Sequence, residues 1–314
     1  MNIVALAPAL ALAAAGLVAV VALDEPSAPS ATVEEPAPTV VPTVTAEPTP
    51  SVGDEPTVRP SKIAVIINEN RGYNQVRKGM PWLKSIGDKY GQATNMKAMT
   101  HPSQPNYVWI IAGSNRGITS NNTARVSGKS LQSTIPAAGR SFWTFGQTMS
   151  SDNCRLTQRG YYHPRHVPTT VFKDERAQCE KTTVGYDKIK PKITAGTLPN
   201  VSFIIPNNCS NSHDCSMATA DKWSRTETER LMAGPDYQSG ELVIVLTWDE
   251  DNKAEGNHIH TAVIHPSLDR VVVTKALNLV SLHETLAKFG GTTPLGTRYK
   301  TNPDLANAFG LSVN

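Results

Sequence analysis

Acidic side chains follow two strongly apolar stretches of the chain, each at the point where the stretch ends. Glu69 comes soon after residues 63–67, and a cluster that includes Asp249 and Glu250 follows residues 242–247. Such runs are typical of strands buried in a parallel sheet, and open α/β sheets bind ligands outside the carboxyl ends of their strands. Neighbouring carboxylates repel one another unless a cation or a proton neutralises them. The pattern therefore predicts a metal site at this edge, with a solvated acidic turn as the alternative.

Ser103 lies in the segment 100–113, which contains two prolines and then an apolar run. Pro105 is suited to begin a helix, which would place Ser103 just before a helix N-terminus. Free N–H groups and the helix dipole stabilise an anion at that point. The serine is therefore either an N-cap or a nucleophile that faces a phosphate.

A histidine and an aspartate stand side by side after a third apolar run. Residues 201–205 predict a buried strand, and His213 and Asp214 follow it between Cys209 and Cys215. A loop closed by a disulfide preorganises its side chains for a ligand. The alternative is a polar surface loop whose His–Asp pair faces water.

Two further histidines, His258 and His260, flank one residue before a predicted strand at 261–264. Alternate residues of a strand point the same way, as paired metal ligands would. We therefore add His258 to the predicted metal ligands, with a histidine at a strand edge as the alternative.

The four cysteines favour two disulfides, since an even number in an exported protein usually pairs. We prefer Cys154–Cys179 and Cys209–Cys215, which close local loops, and the sequence leaves the other two connectivities open. The first loop contains the aromatic and cationic run 161–166. This run either lines the mouth of a substrate site or belongs to a surface loop.

Composition divides the chain into three parts. Residues 1–23 are predicted to be a signal peptide or signal anchor, since almost all positions from 4 to 23 are Ala, Val or Leu. Residues 24–60 contain nine prolines and one basic residue, which predicts a disordered linker. Residues 61–314 are long enough for one α/β catalytic domain. We expect an exported protein, secreted or at the cell surface, and the N-terminal segment as a membrane tether if it is not cleaved.

The net charge of +3 and the isoelectric point of about 8.6 are mildly basic. This balance fits an anionic substrate and falls short of the basic surface that nucleic-acid binding requires. We therefore expect no nucleic-acid partner, and we expect a monomer.

Several separated motifs together are far more specific than any single one. They are Glu69-Asn-Arg-Gly-Tyr-Asn, His101-Pro-Ser-Gln-Pro-Asn-Tyr, Pro199-Asn-Val-Ser-Phe through His213-Asp, Asp221-Lys-Trp, and Thr247-Trp-Asp-Glu. From about residue 62 to residue 311 the chain resembles the bacterial phosphoesterase family of secreted acid phosphatases and non-specific phospholipases C. It looks most like the short actinobacterial secreted acid phosphatases. Because the family belongs to the alkaline-phosphatase-like superfamily, the resemblance implies an α/β fold, a three-layer α/β/α sandwich with a mostly parallel central sheet.

The resemblance also implies a metal and phosphate site. Glu69, Asp249 and Glu250 match the family's metal ligands, to which His258 is the added candidate. Asn70 matches a phosphate-binding residue.

Catalytic roles are carried over in the same way. Ser103 is assigned as nucleophile, because its segment is similar to the one that bears the nucleophile of related nucleotide phosphodiesterases. His213 matches the histidine beside the leaving group, with Asp214 to orient it and His101 as a second acid–base candidate. Asn106, in the serine motif, is a further candidate for binding phosphate.

One position departs from the family pattern. The family often has Asp two residues before the histidine, whereas this chain has Asn211. An amide does not supply the same negative charge, so we expect one divalent metal cation rather than two.

We predict a secreted acid phosphatase that hydrolyses a small phosphomonoester or a phosphoinositide through a metal-activated serine. A phospholipase C acting on lipid head groups is the alternative with the same chemistry. From another class, the chain could be an inactive, surface-tethered binding module. A sulfatase is disfavoured because the Cys/Ser-x-Pro-x-Arg activation motif is absent from the sequence.

Overall fold

The computed structural model describes residues 59–122, 125–149, 154–301 and 303–314. The predicted leader, residues 1–23, and all but the last two residues of the predicted linker, 24–60, lie outside the described residues. Within those four ranges, no helix is long and apolar enough to cross a membrane.

A single sheet runs through the described domain. Its strands are β1 Lys62–Asn68, β2 Gly91–Lys97, β3 Phe142–Gly146, β4 Thr183–Gly185, β5 Val201–Ile205, β6 Leu242–Trp248, β7 His258–Ile264, β8 Val271–Val273 and β9 Leu277–Asn278. They lie in the order β4-β3-β5-β1-β6-β7-β2-β8, and β9 pairs with β2. All neighbouring pairs are parallel except the two that involve β7. The prediction of a mostly parallel central sheet is confirmed.

Helices cover both faces of this sheet. They are α1 Tyr73–Gly79, α2 Pro81–Lys89, α3 Ser103–Ala112, α4 Leu131–Ala137, α5 Arg176–Thr182, α6 Ile189–Thr194, α7 Met217–Met232, α8 Pro235–Gln238, α9 Leu279–Phe289 and α10 Leu305–Ala308. One group of contacting helices contains α3, α4, α9 and α10, and a second contains α1, α2, α7 and α8. With the sheet between them, these groups form the predicted α/β/α sandwich.

The two central strands carry the core. Residues 63–67 of β1 have no exposed surface, and every residue of β6 is buried. Each Ile or Val side chain buried in this way contributes about 1.5–3 kcal/mol to stability. Because β1 and β6 pair along their whole lengths, with Asn68 opposite Trp248, their carboxyl ends finish side by side. The residues that follow these ends are therefore held together by the best-packed part of the fold.

The sequence pattern does not predict β2. Its residues, Gly91 to Lys97, include no apolar run, yet they pair with β7 on one side and with β8 and β9 on the other. The neighbouring strands impose the extended conformation here, since strand preference depends strongly on pairing and burial.

Candidate active site

Three carboxylates meet at the carboxyl ends of β1 and β6. Glu69 and Asp249 are fully buried, and only 4% of Glu250 is exposed. Burial and the charge of Glu250 raise the pKa of Glu69 to about 8. Burial also raises the pKa of Asp249 well above its usual value, and Glu69 and Glu250 add to that rise by repulsion. Three such groups cannot all be ionised in one dry site unless positive charge is supplied.

Ser103 places its hydroxyl between two of these carboxylates. Its Oγ lies 3.1 Å from Glu69 Oε2 and 3.1 Å from Glu250 Oε1. Ser103 is the first residue of α3, and the N-cap position is taken by Pro102. The serine is therefore not the N-cap, and its side chain is directed into the acidic cluster.

The backbone turns sharply after Glu69. Asn70 has a φ of +54°, in the left-handed region that asparagine tolerates better than most residues. Its backbone N–H donates to Asp249 Oδ1 at 3.3 Å, and its side-chain Nδ2 lies 3.4 Å from Glu69 Oε2. Asn70 thus lies beside the carboxylates, and its predicted contact with phosphate stays a prediction.

Asn106 takes a different part from the predicted one. Its Oδ1 accepts from the backbone N–H groups of Met99 and Thr100, and its Nδ2 donates to the Thr100 carbonyl at 2.7 Å. Because this fully buried amide is occupied by the backbone, the structure does not support a phosphate contact. Asn106 instead fastens the segment that leads to Ser103.

His101 is held by two acids. Its Nδ1 lies 2.8 Å from Glu250 Oε2, and its Nε2 lies 3.0 Å from Asp251 Oδ1. Both ring nitrogens therefore have carboxylate partners, which does not suit a proton donor to a leaving group. We reassign His101 as a residue that fixes the acidic loop after β6.

His213 and Asp214 form the predicted pair. His213 Nδ1 lies 2.6 Å from Asp214 Oδ1, and the Cys209–Cys215 disulfide closes the loop that carries both. Burial acts to raise the pKa of Asp214, but the hydrogen bond with His213 and the charge of that ring outweigh it and lower that pKa. An ionised Asp214 would accept a hydrogen bond from Nδ1 and so orient the imidazole.

A second disulfide confirms the preferred pairing and brings an unexpected group to the site. Cys154–Cys179 closes the loop that contains His163 and His166. The ring of His166 lies 5.8 Å from that of His213 and 5.6 Å from that of His163. Of the two alternatives for residues 161–166, the structure favours the one in which they line the site.

His166 and Tyr107 approach the remaining oxygen of Glu69. The hydroxyl of Tyr107 donates to Glu69 Oε1 at 2.5 Å, and His166 Nε2 lies 3.5 Å from the same oxygen. The His166 ring also stacks on Tyr107. Sequence reasoning did not assign either residue; for Tyr107 the available signal was its place in the serine motif.

The added metal ligand His258 does not join the carboxylates. Its Nε2 lies 2.9 Å from the Thr94 carbonyl oxygen, and its ring stacks on Tyr73 at 4.5 Å. His260 stacks on the same tyrosine at 5.6 Å. The two histidines do share a face, as strand alternation predicts, but α1 covers that face. His258 is therefore removed from the predicted metal ligands.

The remaining carboxylates fit a hard cation. Asp249 Oδ2 is buried and has no hydrogen-bond partner among the described residues, and oxygen ligands are those that divalent cations such as Mg²⁺ prefer. Within the same residues, no three side chains of His, Cys, Asp or Glu form a ready-made metal shell. Glu69, Asp249 and Glu250 would therefore need neighbouring oxygens, and the Ser103 hydroxyl contacts two of the three carboxylates.

An apolar cavity of about 490 Å³ lies elsewhere, beside Trp143, Val184 and Lys192. No carboxylate or imidazole lines it. We place the site by its chemistry, at the strand ends, rather than by cavity size.

Comparison with known proteins agrees with this geometry. The model of the phosphoesterase family matches residues 71–267. The chain belongs to the phosphoesterase family. The resemblance noted in the sequence is thereby confirmed, and the match supports a hydrolase that acts on phosphate esters.

Three phosphatases are similar to this phosphoesterase over different lengths. A phosphatidylinositol-3-phosphatase of Mycobacterium tuberculosis is 28% identical over 255 residues, which cover 79% of this chain and 82% of that protein. A probable acid phosphatase of Kluyveromyces lactis is 26% identical over 212 residues, and an acid phosphatase of Aspergillus fumigatus is 24% identical over 206. Each of those two matches covers 60% of this chain but less than half of the fungal protein.

Solved structures support the fold of this phosphoesterase. A protein of the alkaline phosphatase superfamily from Vibrio parahaemolyticus aligns with a TM-score of 0.56 at 10% identity, over 81% of this chain and 72% of that one. The lipoteichoic acid synthase LtaP of Listeria monocytogenes aligns with a TM-score of 0.53 at 9% identity, over 77% and 76%. At such identities the likeness concerns the fold alone, and it confirms the alkaline-phosphatase-like prediction.

Proposed function

We propose that this phosphoesterase is a phosphomonoesterase of the acid-phosphatase type in which Ser103 is the nucleophile. The observation that carries the proposal is the position of Ser103 Oγ, 3.1 Å from a carboxylate oxygen of Glu69 and of Glu250. A serine hydroxyl is a weak nucleophile unless a neighbouring base or a cation activates it. Here the Ser103 hydroxyl donates to the carboxylates of Glu69 and Glu250, whose ionised forms would be the acceptors for its proton when a cation is bound.

The protein groups have separate tasks in this reaction. Ser103 Oγ attacks phosphorus, a new O–P bond forms, and the bond from phosphorus to the ester oxygen breaks. His213, oriented by Asp214, donates a proton to the departing alkoxide and then accepts one from the water that hydrolyses the phosphoserine. Asn70 directs its amide at the phosphoryl oxygens.

One divalent cation held by Glu69, Asp249 and Glu250 would supply positive charge that lowers the pKa of the serine hydroxyl and neutralises phosphoryl oxygens. The surroundings of Asn211 support a single cation. This residue is fully buried, and its Oδ1 accepts the backbone N–H of His213. Its amide is therefore used to shape the loop.

The substrate class follows from the two sides of the site. The basic loop and the carboxylate cluster favour a small phosphomonoester, and a phosphoinositide monoester is the second candidate. The name of the Mycobacterium tuberculosis relative favours the latter. A phospholipase C that acts on lipids requires an apolar entrance to its site. Among the described residues, the exposed large apolar side chains are Tyr161 and Val272. Two such side chains do not form an apolar entrance, which favours the phosphomonoesterase.

The exported location, the tether and the monomeric state remain proposals that rest on the sequence. Leader processing is checked by N-terminal sequencing of the protein recovered from medium and from membranes. Size-exclusion chromatography with light scattering checks the mass in solution.

The proposal is tested by hydrolysis of p-nitrophenyl phosphate by the full chain in mild detergent. Each assay is run with EDTA, and again with Mg²⁺, Mn²⁺ or Zn²⁺ restored. We expect cation-dependent turnover, and we expect Ser103→Ala to lower kcat by about a thousandfold or more, since the covalent route is lost. Ser202→Ala is the matched control, because Ser202 is equally buried, lies in β5 and has no hydrogen-bond partner among the described residues.

Trapping distinguishes the outcomes. Acid quenching of the unmodified protein with labelled substrate should yield phosphoserine at residue 103, and Ser103→Ala should yield none. Turnover that survives in Ser103→Ala would remove the nucleophile assignment. Absence of turnover in the unmodified protein with every cation would favour the phospholipase and the inactive binding module.

A further inference from the structure

Arg165 is the cation nearest to the imidazole that contacts Glu69. Its Nε donates to His166 Nε2 at 3.2 Å, and the same Nε2 lies 3.5 Å from Glu69 Oε1. Because Arg165 Nε carries a hydrogen and is the donor, His166 Nε2 is the acceptor of this hydrogen bond. The guanidinium is thus anchored on the same ring nitrogen that lies beside the Glu69 carboxylate.

The outer part of this guanidinium is not used by the protein. Across the described residues, neither terminal nitrogen of Arg165 has a hydrogen-bond or ion-pair partner. The side chain is half-buried, so it has lost part of its hydration. Its terminal nitrogens have gained no protein acceptor in exchange among the described residues. A guanidinium in this state favours an anion that offers two oxygens, because its terminal N–H groups match such an anion in a bidentate manner.

A second arginine beside the site shows the opposite arrangement. Arg71 donates through one terminal nitrogen to the Asn70 carbonyl at 2.7 Å and through the other to the Ser212 carbonyl at 2.6 Å. Each of its terminal nitrogens therefore makes one hydrogen bond to the backbone, at Asn70 and at Ser212. Of these two arginines, Arg165 is the one whose terminal nitrogens have no acceptor among the described residues.

We propose that Arg165 is a substrate-binding residue whose terminal nitrogens bind two phosphoryl oxygens of the substrate, while its Nε remains anchored on His166. This inference rests on the proposed phosphomonoesterase function and names a recognition residue for it. The phosphoryl group is then held between the Arg165 side chain and the Ser103 side of Glu69. Inorganic phosphate, which offers the same oxygens, binds at the same place.

The test uses the full chain and compares Arg165→Gln with Arg159→Gln. Arg159 lies in the same loop and is exposed, so the second variant makes the same charge change without touching the site. For each, we measure kcat and KM with p-nitrophenyl phosphate, the inhibition constant of inorganic phosphate, and Tm with and without phosphate. Arg165→Lys retains the charge but lacks the planar pair of donors.

We expect Arg165→Gln to raise both the KM and the phosphate inhibition constant by about 10- to 100-fold, the range for a charge-assisted hydrogen bond. Arg159→Gln should change them less than threefold, and Arg165→Lys should fall between. The phosphate-induced rise in Tm should be lost in Arg165→Gln alone. If both glutamine variants leave phosphate inhibition equally unchanged, Arg165 does not bind the substrate.

Failure of this inference is separable from failure of the proposed function. If the unmodified chain turns over substrate and Arg165→Gln equals Arg159→Gln, only the Arg165 assignment falls. If the unmodified chain has no turnover, the phosphate-induced rise in Tm still decides whether Arg165 binds phosphate. A loss of Tm in phosphate-free buffer for Arg165→Gln, with phosphate binding retained, would assign the residue a structural role and overturn the proposal.

Discussion

The two oxygens of Glu69 face two differently built halves of the site. Oε2 faces Ser103 and the acids after β6, all of which are positioned by buried strands and the first turn of α3. Oε1 faces Tyr107 and His166, and His166 belongs to a loop closed by Cys154–Cys179. The first half, which we call the strand-end half, holds the proposed nucleophile and the proposed cation ligands. The second, the loop half, holds groups that we propose to surround the substrate.

Because the two halves are built on different elements, residues of one half can be substituted without altering the other. Parallel strands that pair along their full length leave little freedom to the residues at their ends, so the reacting groups are tightly held. Surface loops tolerate change far better than the elements they connect. Substrate preference within this fold would therefore change in the loop half, while the chemistry stays in the strand-end half.

Among the variants that test this comparison, opening the loop half should have the largest effect. Cys154→Ala/Cys179→Ala removes a link that closes 25 residues, which costs about 3 kcal/mol of stability. We expect kcat/KM for p-nitrophenyl phosphate to fall about 100-fold, because His163 and His166 are no longer held against the site. Cation affinity, measured by calorimetry, should change less than twofold.

The matching variant for that comparison is Cys209→Ala/Cys215→Ala, which releases His213 and Asp214 instead. It should lower kcat more than it raises KM. A loss of cation affinity in either double variant would show that the strand-end half depends on the neighbouring disulfide-closed loops.

The strand-end half should make the metal-free protein sensitive to alkaline pH. Glu69, with a pKa of about 8, and Asp249, whose pKa is also raised, bind more protons in the folded state than in the unfolded state above pH 7. Stability in EDTA should therefore fall as pH rises, and Glu69 alone should account for about 1 kcal/mol of the fall between pH 7 and 8. The buried histidines, whose pKa values burial lowers, are neutral across this range.

Urea unfolding at both pH values provides the measurement. A divalent cation should remove most of the pH dependence, because it favours the ionised acids, and Glu69→Gln should weaken the dependence without metal. Stability that stays constant or rises from pH 7 to 8 in EDTA would show that the carboxylates are not held in a dry, crowded site.

The smallest effect is expected on the face covered by α1. His258→Gln keeps a donor for the Thr94 carbonyl and lies outside both halves. Cation affinity and kcat should therefore remain within twofold of the unmodified values. A tenfold loss of cation affinity would return His258 to the metal ligands.

The apolar pattern of the strands predicted the position of the strand-end half, because that position depends on local sequence. The apolar runs that end at Glu69 and Asp249 mark buried parallel strands, and such strands place their ends at a common edge. The same rules correctly put His258 and His260 on one face. They could not indicate that Tyr73 covers this face, since that contact depends on how α1 packs.

The loop half could be predicted only in outline. Residues 161–166 stood out by composition, and the local disulfide was the preferred pairing. However, the contact of His166 with Glu69 joins residues from distant parts of the chain, and no local pattern encodes it. For Asn106 and His101, the motif indicated roles in the reaction that their contacts do not support. Asn106 binds backbone N–H groups, and His101 contacts two carboxylates of the protein.

Pro60 and Asn314 lie next to each other in the described domain, since the backbone N–H of Asn314 donates to the carbonyl of Pro60 at 3.1 Å. Pro60 stands just before β1, at the amino ends of the parallel strands, and Glu69 stands at their carboxyl ends. A solid support or a fused partner joined at either end would therefore approach from the side opposite the reacting groups. Domains whose ends adjoin in this way also accept circular permutation, so a short linker between these positions would allow new termini to be opened elsewhere in the chain.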